Sequence, residues 1–189
     1  MRVDAYTAGG VASGLVVRAA HVRDALEGEP ALILERVSWR SLDAPAARPA
    51  GEVAIPIDDV LLVLADDDPP LLVHHAWHAV RLELGPYAVQ GDLPTLPGFD
   101  PGRALTRPSG EFVMLRDVRV RRVDDPDGEP VVGVYALVNR YTVERVEADI
   151  MLGFFFPGAV MVVATESEDG DPGTSHVAGP APASEAAAS

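Results

Sequence analysis

Three groups of side chains could do chemistry. His74, His75 and His78, in His-His-Ala-Trp-His, are a histidine cluster. On a strand His74 and His78 share a face, and on a helix they lie one turn apart, so either geometry offers two imidazoles to one metal. A zinc centre would still lack its third protein ligand. Incidental histidines on a strand linking two parts of the chain account for the same residues. Arg116, Arg119, Arg121 and Arg122 make a dense basic patch. Alternation along a strand sends Arg119 and Arg121 to one face and Val118 and Val120 to the core. Such a face could neutralise a few phosphates, yet Asp124, Asp125 and Asp127 follow at once and can pair with it. A solvated strand face that discourages edge-to-edge pairing is the plainer role. The acids at Asp66 to Asp68 and Asp124 to Asp127 suit a hard cation, but neither run has the glycine and terminal glutamate of an EF-hand loop. They read as solvated turns.

Other chemistries find no residues to carry them. Cysteine is absent, which excludes disulfides, thiolate ligands and a cysteine nucleophile. Lysine is absent too, and all 15 basic residues are arginine. No Gly-x-Ser-x-Gly elbow, phosphate loop or zinc-helix motif occurs, so no catalytic residue, metal or cofactor is assigned. The expectation is a protein that is not an enzyme.

The elements that must position these residues come in two sets, because Val3 to Asp66 reads again, with insertions, from Val80 to Asp149. Gly14 meets Gly91, Leu34-Glu35-Arg36-Val37 meets Leu115-Arg116-Asp117-Val118, and Val60 meets Val143. The offset only grows, from 77 (91 minus 14) to 83 (143 minus 60). Loops absorb insertions and strands do not, so this drift is what a repeated folded module leaves behind. Each copy is near the size at which a single core is marginal and burial against a sister copy helps.

The formal net charge of −14 would repel a phosphate backbone unless positive charge were concentrated on one face. Nucleic acid is therefore not an expected partner. The N-terminus begins with strand-like Arg2-Val3-Asp4-Ala5-Tyr6 and lacks a basic region followed by an apolar run. The apolar stretch 150–164 falls short of the roughly 20 residues of a membrane span. These features imply a cytoplasmic protein without a membrane span. Residues 165–189 are Gly, Pro, Ala, Ser and acid, too polar to bury a core, and disorder is expected.

Alternating apolar and polar residues predict strands throughout. In the first copy they run from Val3 to Thr7, Val11 to Arg18, Ala31 to Leu42, Val53 to Ile57 and Val60 to Leu64. In the second, strand one includes Val80, Leu82 and Leu84, followed by Tyr87 to Thr95, Glu111 to Val123, Val132 to Val138 and Thr142 to Val146. Helical turns are expected at His21 to Leu26 and Pro101 to Leu105. Five short strands with a sharp turn between the last two suit a small bent barrel.

Val80-Arg81-Leu82-Glu83-Leu84-Gly85, then Gly91-Asp92-Leu93, then Leu115-Arg116-Asp117, then strand, tight turn and strand from Val134 to Val146, resemble the order of motifs in the Sm-like family of small β-barrels. The resemblance implies two tandem Sm-like barrels and a role in assembly. It also implies RNA contacts at an Asp-x-x-x-Asn stretch and an Arg-Gly turn, and here the chain departs. It has Leu96-Pro97-Gly98-Phe99-Asp100 at the first place. At the turn it has Asn139-Arg140-Tyr141 in the second copy and Ile57-Asp58-Asp59 in the first.

The sequence thus predicts an all-β protein of two tandem five-stranded β-barrels packed as a pseudo-symmetric pair. The first barrel spans 1–68, a linker strand 69–79, the second barrel 80–149, an apolar terminal strand 150–164 and a disordered tail 165–189. The expected function is a structural or protein-interaction module that forms homo-oligomers or binds a protein partner. The alternative is a ligand- or RNA-binding protein using Arg119, Arg121, Asn139 and Arg140 of the second copy.

Overall fold

The structure is a computed structural model that describes residues 1–17, 19–44, 46–66, 75–96 and 110–163. The expectations for His74, the turn at Pro101 to Leu105, Pro97 to Asp100 and the tail 165–189 lie outside these residues. The first half contributes β1 (Arg2–Thr7), β2 (Gly10–Leu15), α1 (Val22–Glu27), β3 (Ala31–Ser41), β4 (Arg48–Pro56) and, after a single 3₁₀ turn at Ile57–Asp59, β5 (Leu62–Ala65). The second contributes β6 (Ala76–Leu84), β7 (Tyr87–Thr95), β8 (Phe112–Arg122), β9 (Val131–Asn139) and β10 (Arg145–Ala148), and β11 (Val160–Val163) follows. None of the helices among the described residues is long and apolar enough to cross a membrane.

The protein is all-β, but the expected pair of closed barrels does not form. The 11 strands of the described residues belong to one sheet in the order β11-β10-β6-β7-β8-β9-β5-β1-β2-β3-β4. Within each half the order is the same: the fifth strand lies beside the first, and the fourth is at the far edge. Neither half closes on itself, because β5 pairs with β9 of the other half instead of with β4. That junction is antiparallel, with Leu62 opposite Val138 and Ala65 opposite Tyr135.

The junction strands are apolar without alternation because both of their faces are covered. Leu62 and Leu64 of β5 enter a core with Leu82, Val89, Leu115 and Phe156. Val63 and Ala65 enter a second core with Val3, Leu32, Leu34 and Ile55. The second half reciprocates, since Ala136 and Val138 face the first of these cores and Tyr135 and Leu137 the other. Each half lends a strand face to its neighbour.

The long third strands are bent at matching places. Arg36 in β3 and Asp117 in β8 have positive φ, 53° and 51°, each beside a shift of register that marks a bulge. Opposite them stand Gly14 and Gly91. A Cβ at Gly14 would lie 3.0 Å from the Glu35 carbonyl oxygen, and one at Gly91 would lie 2.9 Å from that of Arg116. The bulged backbone crowds any side chain at these two positions.

Two boundaries differ from expectation for local reasons. The strand β4 extends back through Pro49 and Gly51, which an edge strand tolerates because one side needs no hydrogen bonds. The strand β10 starts at Arg145 instead of Thr142, because residues 140–142 form a turn. There the Tyr141 N–H donates to Asn139 Oδ1 at 3.1 Å and Thr142 Oγ1 donates to the Asn139 carbonyl at 3.0 Å. The apolar stretch after the second half is a strand only over Val160–Val163; before it, Leu152 and Phe156 are buried in the second half's core while Met151 and Phe154 are exposed.

Candidate functional site

The seam between the halves holds a cleft of about 190 Å³. Its first wall is Tyr6 and Val11 with Arg40 to Leu42 at the end of β3, and its second is Tyr87, Val120 to Arg122 and the turn through Asp125 and Glu129. Tyr6 reaches the seam because it points away from Ala5, out of the first half's core and into that of the second. Tyr87 begins β7 directly after the tight turn at Gly85, whose φ is 52°.

The two phenol rings stand edge to face across the seam, with centroids 5.1 Å apart and planes at 88°. Both residues are buried, and neither hydroxyl has a hydrogen-bond partner among the described residues. Burial disfavours the phenolate, so the Tyr87 hydroxyl is pushed up to about 12, against the opposing pull of Arg122 and Arg40. Burial and then the Asp4 carboxylate raise Tyr6 further, opposed by Arg40. Burial thus favours the neutral form of both phenols.

Arg122 closes one end of the cleft and ties the halves together. Its Nη1 donates to the Leu42 carbonyl at 2.8 Å, while Nε donates to Asp124 Oδ1 at 2.8 Å. The hydrogen bond with Asp124 holds the arginine above and the aspartate below their ordinary values. A second tie runs from Arg23 Nη1 in α1 to the Phe112 carbonyl in β8, at 3.2 Å.

The residues singled out from the sequence do not gather into one site. Arg119 and Arg121 are exposed on β8, opposite Val132 and beyond it. Asn139 pairs with Phe112 at the other end of the same hairpin, seven residues and roughly 23 Å of strand away. Asn139 and Arg140 are only 4% and 3% exposed. Arg140 Nη2 donates to the Phe154 carbonyl, and its guanidinium lies 5.5 Å from the Tyr141 ring centroid. Arg119 and Arg81 share a groove with Asp92, Asp117, Glu147 and Asp149. Arg121 lines the seam cleft. Arg116 packs its guanidinium 3.7 Å from the Trp77 ring centroid and 3.3 Å from Asp92 Oδ2.

His78 Nε2 lies 3.0 Å from Thr95 Oγ1, and its Nδ1 3.7 Å from Asp149 Oδ1. Among the described residues no three His, Asp or Glu side chains are grouped to hold a metal ion. The tyrosine pair was not among the sequence candidates. Ala5, Tyr6 and Thr7 are buried at three successive positions, where the one-sided burial that the sequence alternation implies would leave Tyr6 exposed. Comparison with protein-family profiles, with curated proteins and with solved structures finds no match.

Proposed function

We propose that the chain is a tandem duplication of an Sm-like unit, acting as a non-enzymatic structural or protein-interaction module that works by pairing strand edges. The observation that carries this reading is the junction: two halves of identical strand order are joined by laying an edge strand of one, β5, along an edge strand of the other, β9. A unit that recognises a like unit in this way is suited to recognise protein strands, because the main-chain ladder supplies affinity and the alternating side chains supply selectivity. Affinity capture of the full chain with quantitative mass spectrometry tests the proposal. A protein partner or further copies of the chain in stoichiometric amount are expected; capture of the bait alone would count against it.

A second reading, binding of an anionic ligand or RNA by the second half, draws on one observation: Arg119 and Arg121 are exposed on the same strand face and line a common groove with Arg81. Filter binding of short RNA at low salt, repeated with Arg119→Ala and Arg121→Ala, tests it. Retention that falls in both variants would favour it over the first.

A further inference from the structure

The cleft at the seam joins groups that neither half could assemble alone. Tyr6 and Tyr87 are each only 2% exposed, yet neither hydroxyl meets a hydrogen-bond partner among the described residues. Phenylalanine would fill either place without leaving a buried polar atom unsatisfied. Burial raises the pKa of both phenols, and the Arg40 charge opposes that rise in each. Both hydroxyls therefore lie within electrostatic reach of an arginine that lines the cleft.

That arginine has a counterpart. Arg40 and Arg121 are equivalent residues of the two copies, at the offset of 81 (121 minus 40) that also relates Leu34 to Leu115 (115 minus 34). The duplication thus brings one cation to each wall of the same cleft. Both side chains are exposed, and neither forms an ion pair among the described residues. Arg122 is already committed to the Leu42 carbonyl and to Asp124. Taken together, Arg40, Arg121 and Arg122 against Asp125 and Glu129 give the lining a net charge of +1 (3 minus 2). Such a balance suits one negative charge better than the −1.5 to −2 that a phosphate monoester carries near pH 7. The size is also restrictive. At about 190 Å³ the cleft is a little larger than the roughly 150 Å³ in which an apolar cavity holds benzene, enough for one ring or branched chain with a small polar head.

We infer that the seam cleft is a binding site for a small organic monocarboxylate, whose oxygens accept from the Tyr6 and Tyr87 hydroxyls and from Arg40 and Arg121 while its apolar body lies against Leu42 and Val120. A carboxylate offers about four lone-pair sites, one for each of these donors, and hydrogen bonds to an ionised acceptor are the stronger kind. The site does not depend on the strand pairing proposed above. It differs from the Arg81 groove of the second half in needing Tyr6 and Arg40 of the first. The two hydroxyl oxygens are sealed from solvent in this structure, so binding includes a swing of the long arginine side chains at the rim. With donors on both walls, the bound acid clamps the halves together and stabilises the folded chain.

Titration of the full chain with acetate, isovalerate, phenylacetate and benzoate tests this, read by amide NMR shifts and by the thermal midpoint. Benzoate or phenylacetate is expected to shift the signals of Tyr6, Tyr87, Arg40 and Arg121 saturably and to raise the midpoint. Benzyl alcohol, which lacks the charge, and inorganic phosphate, which lacks the apolar body, should do neither. Tyr6→Phe and Tyr87→Phe should keep native circular dichroism and each weaken binding by about tenfold, roughly one hydrogen bond to a charged group. Arg40→Gln, at an exposed position, should weaken it at least as much. Failure of the whole carboxylate series to move these signals at millimolar concentration would overturn the inference. Undiminished binding by a natively folded Tyr6→Phe/Tyr87→Phe double variant would do the same, as would equally strong shifts from phosphate.

Discussion

The rings of Tyr6 and Tyr87 meet edge to face across the seam, 5.1 Å between centroids, and each buries a hydroxyl without a hydrogen-bond partner among the described residues. An edge-to-face pair adds about 0.5–1.5 kcal/mol beyond the area it buries. An unsatisfied buried hydroxyl costs about 1–3 kcal/mol. The contact between the halves is therefore carried by ring packing, with the polar tips working against it.

Removing only the tips should thus be harmless. Tyr6→Phe and Tyr87→Phe are expected to leave stability unchanged or raise it by about 1 kcal/mol, while Tyr87→Ala, which removes the ring, should cost about 3–5 kcal/mol. Urea unfolding followed by circular dichroism measures both. A loss of more than about 1 kcal/mol in either Phe variant would mean that the hydroxyls are bonded after all.

The same burial sets an alkaline limit. The Tyr87 hydroxyl is pushed up to about 12 and Tyr6 higher still, chiefly by burial, whereas an unfolded tyrosine ionises near 10. Above that pH the unfolded chain releases protons that the folded one keeps, so stability is complete below about pH 10 and falls as pH rises toward the folded values. The slope approaches about 1.4 kcal/mol per pH unit for each tyrosine. Urea midpoints measured from neutral to strongly alkaline pH should show this decline, and the Tyr6→Phe/Tyr87→Phe double variant should flatten it. An equal decline in the double variant would place the effect elsewhere.

Gly14 and Gly91 face the two bulges at distances that crowd any added side chain. An added Cβ would press on backbone oxygens of Glu35 or Arg116, with Leu34 Cβ and Leu115 Cβ close behind at 3.1 and 3.3 Å. Gly14→Ala and Gly91→Ala should each cost about 1–3 kcal/mol, read from thermal or urea unfolding. Similar losses at both positions are expected because the surroundings match. A neutral result at either would show that its bulge can relax.

Much of this fold was legible in the residues. The strands β7, β3 and β8 fall at or within a residue of the places that alternation predicts, and α1 follows His21 as expected. Closure was not legible. A pattern of buried positions tells how many faces a strand covers but not which strand covers them, so five strands per half suggested a barrel where β5 in fact takes β9. The unbroken apolar runs Val60 to Ala65 and Tyr135 to Val138 carried the missing information, because only a strand between two cores is apolar on both faces. Asn139 and Arg140 misled for a related reason. A turn that keeps an arginine resembles a ligand loop in sequence, yet here the guanidinium is spent on the Phe154 carbonyl. Charge in a turn does not reveal whether the next segment folds back over it.

The shared strand also decides how the molecule unfolds. Leu62 is fully buried in one core and Val63, its neighbour, is fully buried in the other, so neither half can lose β5 without opening both. One cooperative transition is expected in calorimetry, with calorimetric and van't Hoff enthalpies in agreement. Leu62→Ala should cost about 2–5 kcal/mol and Val63→Ala about 1–3 kcal/mol, and each should lower the single midpoint. If the halves were independent, Leu62→Ala would shift only the transition of the second half and Val63→Ala only that of the first. Hydrogen exchange on β2 and β7, which lie in different halves and away from the substitutions, distinguishes the cases. Loss of protection in both strands with either substitution is the expected result, and loss in one alone would show that the junction does not couple them.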